Sequence, residues 1–334
     1  MRVSLLGLFR DYMAYSKTMG KHLDGGAKWE PPIRSLSAFL GHDDASRINQ
    51  ADLLKWRDAL LAEGKSPKTV SDKYLAAVRA VVNWAVDNLR LSTNPMEKVR
   101  QKVPKKVKTR ESGYTTSEAV RILKASLNYQ PVEATNPSNQ ESAPVVAAKR
   151  WVPLLCAFTG ARVTELTQLR KEDIREENGR WIVRITPEGG SVKSKEYRDV
   201  PLHQQVVDLG FLDFLRRADV GPLFHNGTDH ERFLARAKAT SGRISTWLRE
   251  SELTPKNVQP SHGWRHRFKT IGRELGMSDR VLNAIQGHTS GSAADDYGDV
   301  TIAAKLRLID ALPSYDLGDS QSDEDDTQVT ISKP

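Results

Sequence analysis

Residues 262–297 read HGWRHRFKTIGRELGMSDRVLNAIQGHTSGSAADDY. His262 and Arg265 stand three apart and so share one face of a helix. Gly287 and His288 follow, and Tyr297 comes nine residues after that histidine. His266 lies four beyond His262, a separation that suits a metal pair. No glutamate stands between them as in H-E-x-x-H and no third ligand is evident, so no metal is expected. A tyrosine on a helix is most often a core residue with a satisfied hydroxyl, so Tyr297 has to be judged by its company.

Two stretches upstream supply that company. Residues 159–166, TGARVTEL, place a glycine turn before a helix whose first turn carries Arg162, with Glu165 three residues on. Alone, such a pair is commonly a surface ion pair. Residues 181–185, WIVRI, read as a strand that Gly189 and Gly190 break, and residues 198–202 read as its partner. In the stretch between, KSKEYRDVPL from 193 to 202, Lys193 falls near the tip of a hairpin, with Lys195 its competitor for that place. Hairpin tips are usually charged for solubility, so this feature too is weak by itself.

A chain of 334 residues, 38% hydrophobic and 28% charged, can fill two ordinary globular domains. Its net charge of +8 and pI near 9.4 point toward a polyanionic partner. The body is more basic than the whole, because Asp319, Asp323, Glu324, Asp325 and Asp326 crowd a tail in which Lys333 is the one lysine; without residues 318–334 the charge is +12. The single cysteine, Cys156, lies in an apolar run, which excludes an intramolecular disulfide and predicts a buried structural thiol in a reducing cytoplasm. No run approaches the ~18 apolar residues of a membrane span. Arg10 and Asp11 interrupt the only apolar N-terminal stretch, so neither a membrane anchor nor a signal peptide is expected.

From residue 3 to about 91 apolar residues recur at helical spacing, which predicts four or five helices. Pro31 and Pro32 mark the start of the second, Asn49 the third, and Ser66 with Pro67 the fourth. Residues 101–110, QKVPKKVKTR, lose that periodicity while half of them are basic, and read as a linker. A second domain opens at Tyr114, with Thr115 and Glu118 resembling a helix cap. Residues 129–144 read as a surface loop, residues 145 to about 170 as helical, and residues 203–312 as mostly helical.

The ordered set now resembles the signature of the tyrosine recombinase family, the phage integrases and Xer-type recombinases. It consists of Arg162 in G-x-R-x-x-E-L, Lys193 eight residues before the proline of V-P-L, His262 and Arg265 in H-x-x-R-H, Gly287-His288, and Tyr297 nine beyond. The resemblance covers residues 114–312; the first domain is similar to the family's core-binding domain at the level of pattern. It implies a mainly α fold with a small β-sheet: a helical, SAM-like core-binding domain at 1–100, a basic linker at 101–113, an α+β integrase-like catalytic domain at 114–315 and an acidic, disordered tail at 316–334. The two domains would form a clamp on DNA.

The implied function is site-specific recombination, cutting and rejoining DNA strands through a 3′-phosphotyrosyl link, in integration, excision or related exchange. The alternatives are a type IB topoisomerase and a catalytically silent DNA-binding regulator. Transesterification at a phosphodiester builds charge on the non-bridging oxygens, which planar, always-charged guanidiniums grip well. Arg162 and Arg265 are therefore expected to clamp the scissile phosphate. Tyr297, with an unperturbed pKa of ~10, needs help to lose its proton. His262 is the candidate base, Lys193 the candidate acid for the 5′-oxygen, His288 a donor to a non-bridging oxygen, and Glu165 a support for Arg162. Asp295 and Asp296 depart from the pattern and would raise the tyrosine pKa if they faced it.

Lys102, Lys105, Lys106, Lys108 and Arg110 are expected to strap DNA phosphates, and Arg267 to touch DNA as well. The expected partners are double-stranded DNA bearing a recombination site, three further copies of the chain in a tetramer, and accessory DNA-bending proteins. No membrane, metal or ATP is expected, and the location implied is the cytoplasm, at the nucleoid. Residues 301–312 are a candidate helix for exchange between protomers or for packing on their own domain. Because the chain begins almost directly at the core-binding helices, an arm-binding domain of the kind some integrases carry is not expected within it.

Overall fold

The structure, a computed structural model, describes residues 2–22, 25–105, 107–190, 196–288 and 298–318. The chain divides into two compact units, Met1–Lys108 and Thr109–Pro334, and the division falls inside the basic linker.

The first unit is helical. It contains α1 (Leu5–Thr18), α2 (Glu30–Leu40), α3 (Gln50–Ala62) and a last rod in three parts: α4 (Pro67–Thr69), a π-helical turn (Val70–Leu75) and α5 (Ala76–Asp87). The helix starts follow from local chemistry. Prolines occupy the first turn of α2, where their missing N–H costs nothing. Asn49 and Asp52 form a reciprocal capping box on α3, and the Ser66 hydroxyl accepts from the Thr69 amide. Leu5, Ile33, Leu36, Leu53, Trp56 and Val78 meet in its core.

The second unit opens with α6 (Thr116–Leu127), capped by Thr115 and Glu118 as the sequence predicts. Next comes α7 (Ala143–Thr159), whose residues 151–159 are all buried; it is the central rod, packed on α6, α11 and α12. The periodicity predicts helix on to about residue 170, but Gly160 takes φ +56° and ends α7. Only the short α8 (Val163–Thr167) follows. Three antiparallel strands then pair in the order β1 (Ile174–Glu177), β2 (Arg180–Ile185), β3 (Arg198–Pro201). Strand β1 reads IREE, with one apolar residue, and offers no alternation to detect. The rest is α9 (Gln204–Asp208), α10 (Phe211–Arg217), α11 (Phe233–Glu250), α12 (Pro260–Glu274), α13 (Asp279–Gln286) and α14 (Ile302–Ala311). Among the described residues no helix is long and apolar enough to cross a membrane.

Cys156 lies in the core of α7, where burial pushes its thiol up to about 12. Helix α14 packs on its own domain. Lys305 Nζ donates to the Asp199 carbonyl at 2.9 Å, and Arg180 pairs with Asp310. His203 takes the Gln205 amide on Nδ1, so its Nε2 bears the proton and donates to the Leu312 carbonyl at 3.1 Å.

Glycine decides how closely α12 can lie against the rest of the unit. A Cβ on Gly263 would come within 2.6 Å of the Tyr114 ring and 2.7 Å of Val258. That ring packs on Trp264, and its hydroxyl donates to the Pro260 carbonyl at 2.9 Å. Gly→Ala within a helix ordinarily gains about 1 kcal/mol. Here overpacking of about 1–3 kcal/mol outweighs it, so Gly263→Ala should lower the denaturation midpoint; a raised midpoint would contradict this packing.

Candidate active site

Two left-handed glycine turns build the site. Gly160, closing α7, offers its carbonyl to Arg265 Nη1 at 2.6 Å, and the Gln286 carbonyl accepts from the same nitrogen at 2.9 Å. Gln286 returns the contact, its side-chain amide donating to the Arg265 carbonyl at 2.8 Å. Gly287, closing α13 at φ +67°, accepts Arg162 Nη1 at 3.1 Å. Neither turn admits a side chain: a Cβ at 160 would lie 2.6 Å from Gln286 Nε2, and one at 287 the same distance from Arg198 Nη1. Backbone carbonyls thus orient Arg162 and Arg265 without neutralising either.

Arg162 is the N-cap of α8, in extended conformation, rather than a residue of its first turn. Its Nη1 donates to Glu165 Oε1 at 2.8 Å and its amide to Oε2 at 3.1 Å. Glu165 is 2% exposed and also takes Arg198 Nη2 at 2.5 Å on Oε2. Burial opposes ionisation of that carboxyl, but the charge of Arg198 and the hydrogen bonds from Arg198 and Arg162 outweigh it and hold the group below its ordinary value. Arg265, 6% exposed, is drawn down to about 10 by burial and then by Arg162, and so stays charged at neutral pH. Its Nη2 lies 2.6 Å from His288 Nε2. A guanidinium only donates, so the imidazole accepts at Nε2 and carries its proton on Nδ1. His262 lies in the first turn of α12, open to solvent on one side; partial desolvation first, then Arg265, His266 and Arg162, hold its pKa below the usual value, which keeps it neutral at pH 7.

Glu165 is the carboxylate on which Arg162 and Arg198 both converge. Removing one partner of a buried ion pair leaves uncompensated charge, so Glu165→Gln should cost about 3–5 kcal/mol in urea unfolding. Its folded pKa is depressed, so the stabilisation is fully present above the unfolded carboxylate value of ~4.3 and is lost as pH falls through the lower folded value. The gap between wild type and variant should therefore close below about pH 4; equal stability at pH 7 would contradict the assignment.

The structure thus brings Arg162, Glu165, Arg265 and His288 together, with His262 in the electrostatic reach of both arginines. Lys193, Tyr297 and Lys106 lie outside the described residues, as do Asp295 and Asp296. Lys102, Lys105 and Lys108 are exposed at the end of the first unit. Arg110 makes a two-pronged bond to Glu118, both at 2.7 Å, which draws that carboxyl down to about 2. Arg267 stands about 200° round α12 from Arg265. Its half-buried guanidinium donates to the Tyr315 hydroxyl, the Tyr114 carbonyl and the Thr116 hydroxyl. Sequence reasoning missed Arg198, although period-two alternation in β3 puts it on the inward face with Val200.

The family model described as "Phage integrase family" matches residues 115–303, more than half of the chain. The chain belongs to the phage integrase family. It is a tyrosine recombinase, a site-specific enzyme that cleaves and rejoins DNA through a tyrosine nucleophile. It is 26% identical over 298 residues to tyrosine recombinase XerD of Listeria innocua, covering 84% of this chain and 90% of that one. It is 26% identical over 314 residues to tyrosine recombinase XerC of Mycobacterium bovis, covering 92% and 97%. Among solved structures, the Tn1549 transposon integrase in complex with transposon right end DNA matches with a TM-score of 0.62, 17% identity and coverage of 94% and 97%. A lambda integrase tetramer bound to a Holliday junction matches with a TM-score of 0.59, 16% identity and coverage of 90% and 81%. At those identities the structures establish the shared fold. Neither the topoisomerase nor the silent-regulator alternative gains support from these relatives.

Proposed function

We propose that Tyr297 is the nucleophile of this recombinase and that Arg162 and Arg265 grip the phosphate it attacks. The observation that carries the reading is the placement of two guanidiniums side by side on backbone carbonyls, with His288 against one of them. In the forward step the Tyr297 oxygen attacks phosphorus, His262 takes the phenolic proton, and the P–O5′ bond breaks as Lys193 protonates the departing oxygen. The product is a 3′-phosphotyrosyl link and a free 5′-hydroxyl, and the reverse step reseals a strand. An arriving phosphate oxygen competes with the imidazole for Arg265, which frees His288 to turn a donor toward the same phosphate.

The two units together grip double-stranded DNA at a specific site, with Lys102, Lys105, Lys106 and Lys108 on backbone phosphates and four copies assembled on two sites. The tetramer named in the lambda integrase structure supports the assembly, and bending proteins would assist it. Guanidinium charge supplies what a metal would, so no metal or ATP is required. A nicked suicide substrate, from which the short fragment bearing the free 5′-hydroxyl diffuses away, should trap a covalent protein–DNA adduct, and EDTA should not reduce the yield. Adduct that forms only with added magnesium would contradict the metal-free mechanism.

A further inference from the structure

The region around Glu165 contains one more guanidinium than the reading above uses. Arg198 is 7% exposed, and its three nitrogens have three different fates. Nη2 donates to Glu165 Oε2 at 2.5 Å, and Nε donates to the Ile285 carbonyl at 2.8 Å, in the last turn of α13. Nη1 is buried without a hydrogen-bond partner among the described residues and lies against Gly287, 2.6 Å from where a Cβ there would stand. An orphaned buried donor is costly, so the place of this side chain calls for an explanation beyond packing.

Charge supplies it. Glu165 has two oxygens and two guanidinium partners, Arg162 on Oε1 and Arg198 on Oε2. With Arg198 in place, the carboxylate has a cation of its own on Oε2, and Arg162 keeps an uncancelled charge. With Arg198 removed, Glu165 would have Arg162 as its one cation in direct contact and would cancel it. We infer that Arg198 is a positioning residue for strand cleavage: it neutralises Glu165 so that Arg162 faces the scissile phosphate as a full cation, and it pins the α13 turn that presents His288. Burial draws the Arg198 pKa down against the pull of Glu165, as expected for a charge held in place by that one anion. The inference rests on the reading of Arg162 as a phosphate clamp.

Single-turnover cleavage of the nicked substrate by the full chain tests it, with DNA affinity measured alongside. Partners that orient a functional group are typically worth about 10–100-fold. Arg198→Gln should slow cleavage by that factor with DNA affinity unchanged. Adding Glu165→Gln to Arg198→Gln should recover about tenfold or more, because the carboxylate that cancels Arg162 has gone. A merely structural role predicts the reverse, a pair no faster than the single variant, and that result would overturn the inference. Should Arg198→Gln fail to fold, Arg198→Lys keeps the charge and should cleave within about tenfold of wild type; a folded lysine variant slower by a hundredfold or more would overturn it. Arg162→Gln separates the two levels. If it is inactive while Arg198→Gln cleaves normally, the role of Arg198 alone is wrong; if Arg162→Gln itself cleaves normally, the clamp reading falls and this inference falls with it.

Discussion

Replacing Tyr297 with phenylalanine is expected to erase strand cleavage, a loss on the order of a millionfold in rate, while DNA binding stays at the wild-type level. The substitution removes one oxygen and keeps the ring. At pH 7 an unperturbed tyrosine with a pKa of ~10 is about one part in a thousand phenolate, so the nucleophile depends on its surroundings for activation. The two clamping guanidiniums, Arg162 and Arg265, and the neutral His262 within their electrostatic reach are suited to supply it. Cleavage by the phenylalanine variant within a hundredfold of wild type would mean that another group attacks.

Arg265→Ala should cost a factor of about 10³ or more in single-turnover cleavage. Removal of one preorganised donor to a developing oxyanion typically costs 10²–10³. Arg265 does more than that, because its Nη1 also satisfies the Gly160 and Gln286 carbonyls and so holds the ends of α7 and α13 together. Arg265→Lys keeps the charge as a point but cannot span two carbonyls and a phosphate at once, so it should recover DNA affinity more fully than rate. An alanine variant that cleaves within tenfold of wild type would remove Arg265 from the mechanism.

Much of this was readable in the sequence because short-range chemistry speaks through fixed spacings. The caps at Asn49, Ser66 and Thr115 and the pairing of β2 with β3 all follow from local rules, as does the His262/Arg265 helix face. What escaped depends on contacts far apart in the chain. Strand β1 carries almost no apolar residue and exists because β2 provides its hydrogen-bond ladder. The end of α7 at Gly160 reflects the approach of Gln286 and Phe268, more than a hundred residues away. Arg198 reads as an ordinary charged strand residue until Glu165, 33 positions earlier, is found beneath it. Arg267 sits two residues from Arg265, yet the helical turn points it at Tyr114 and Tyr315.

The central claim is that the covalent bond to DNA forms at Tyr297. Trypsin cuts after Arg280 and Lys305, and the peptide 281–305 between them contains a single tyrosine. Mass spectrometry of the adduct trapped on a nicked substrate, after nuclease and tryptic digestion, should find the nucleotide mass on that peptide with fragment ions placing it on residue 297. Nucleotide attached to any other peptide, or to a serine or threonine within this one, would contradict the account.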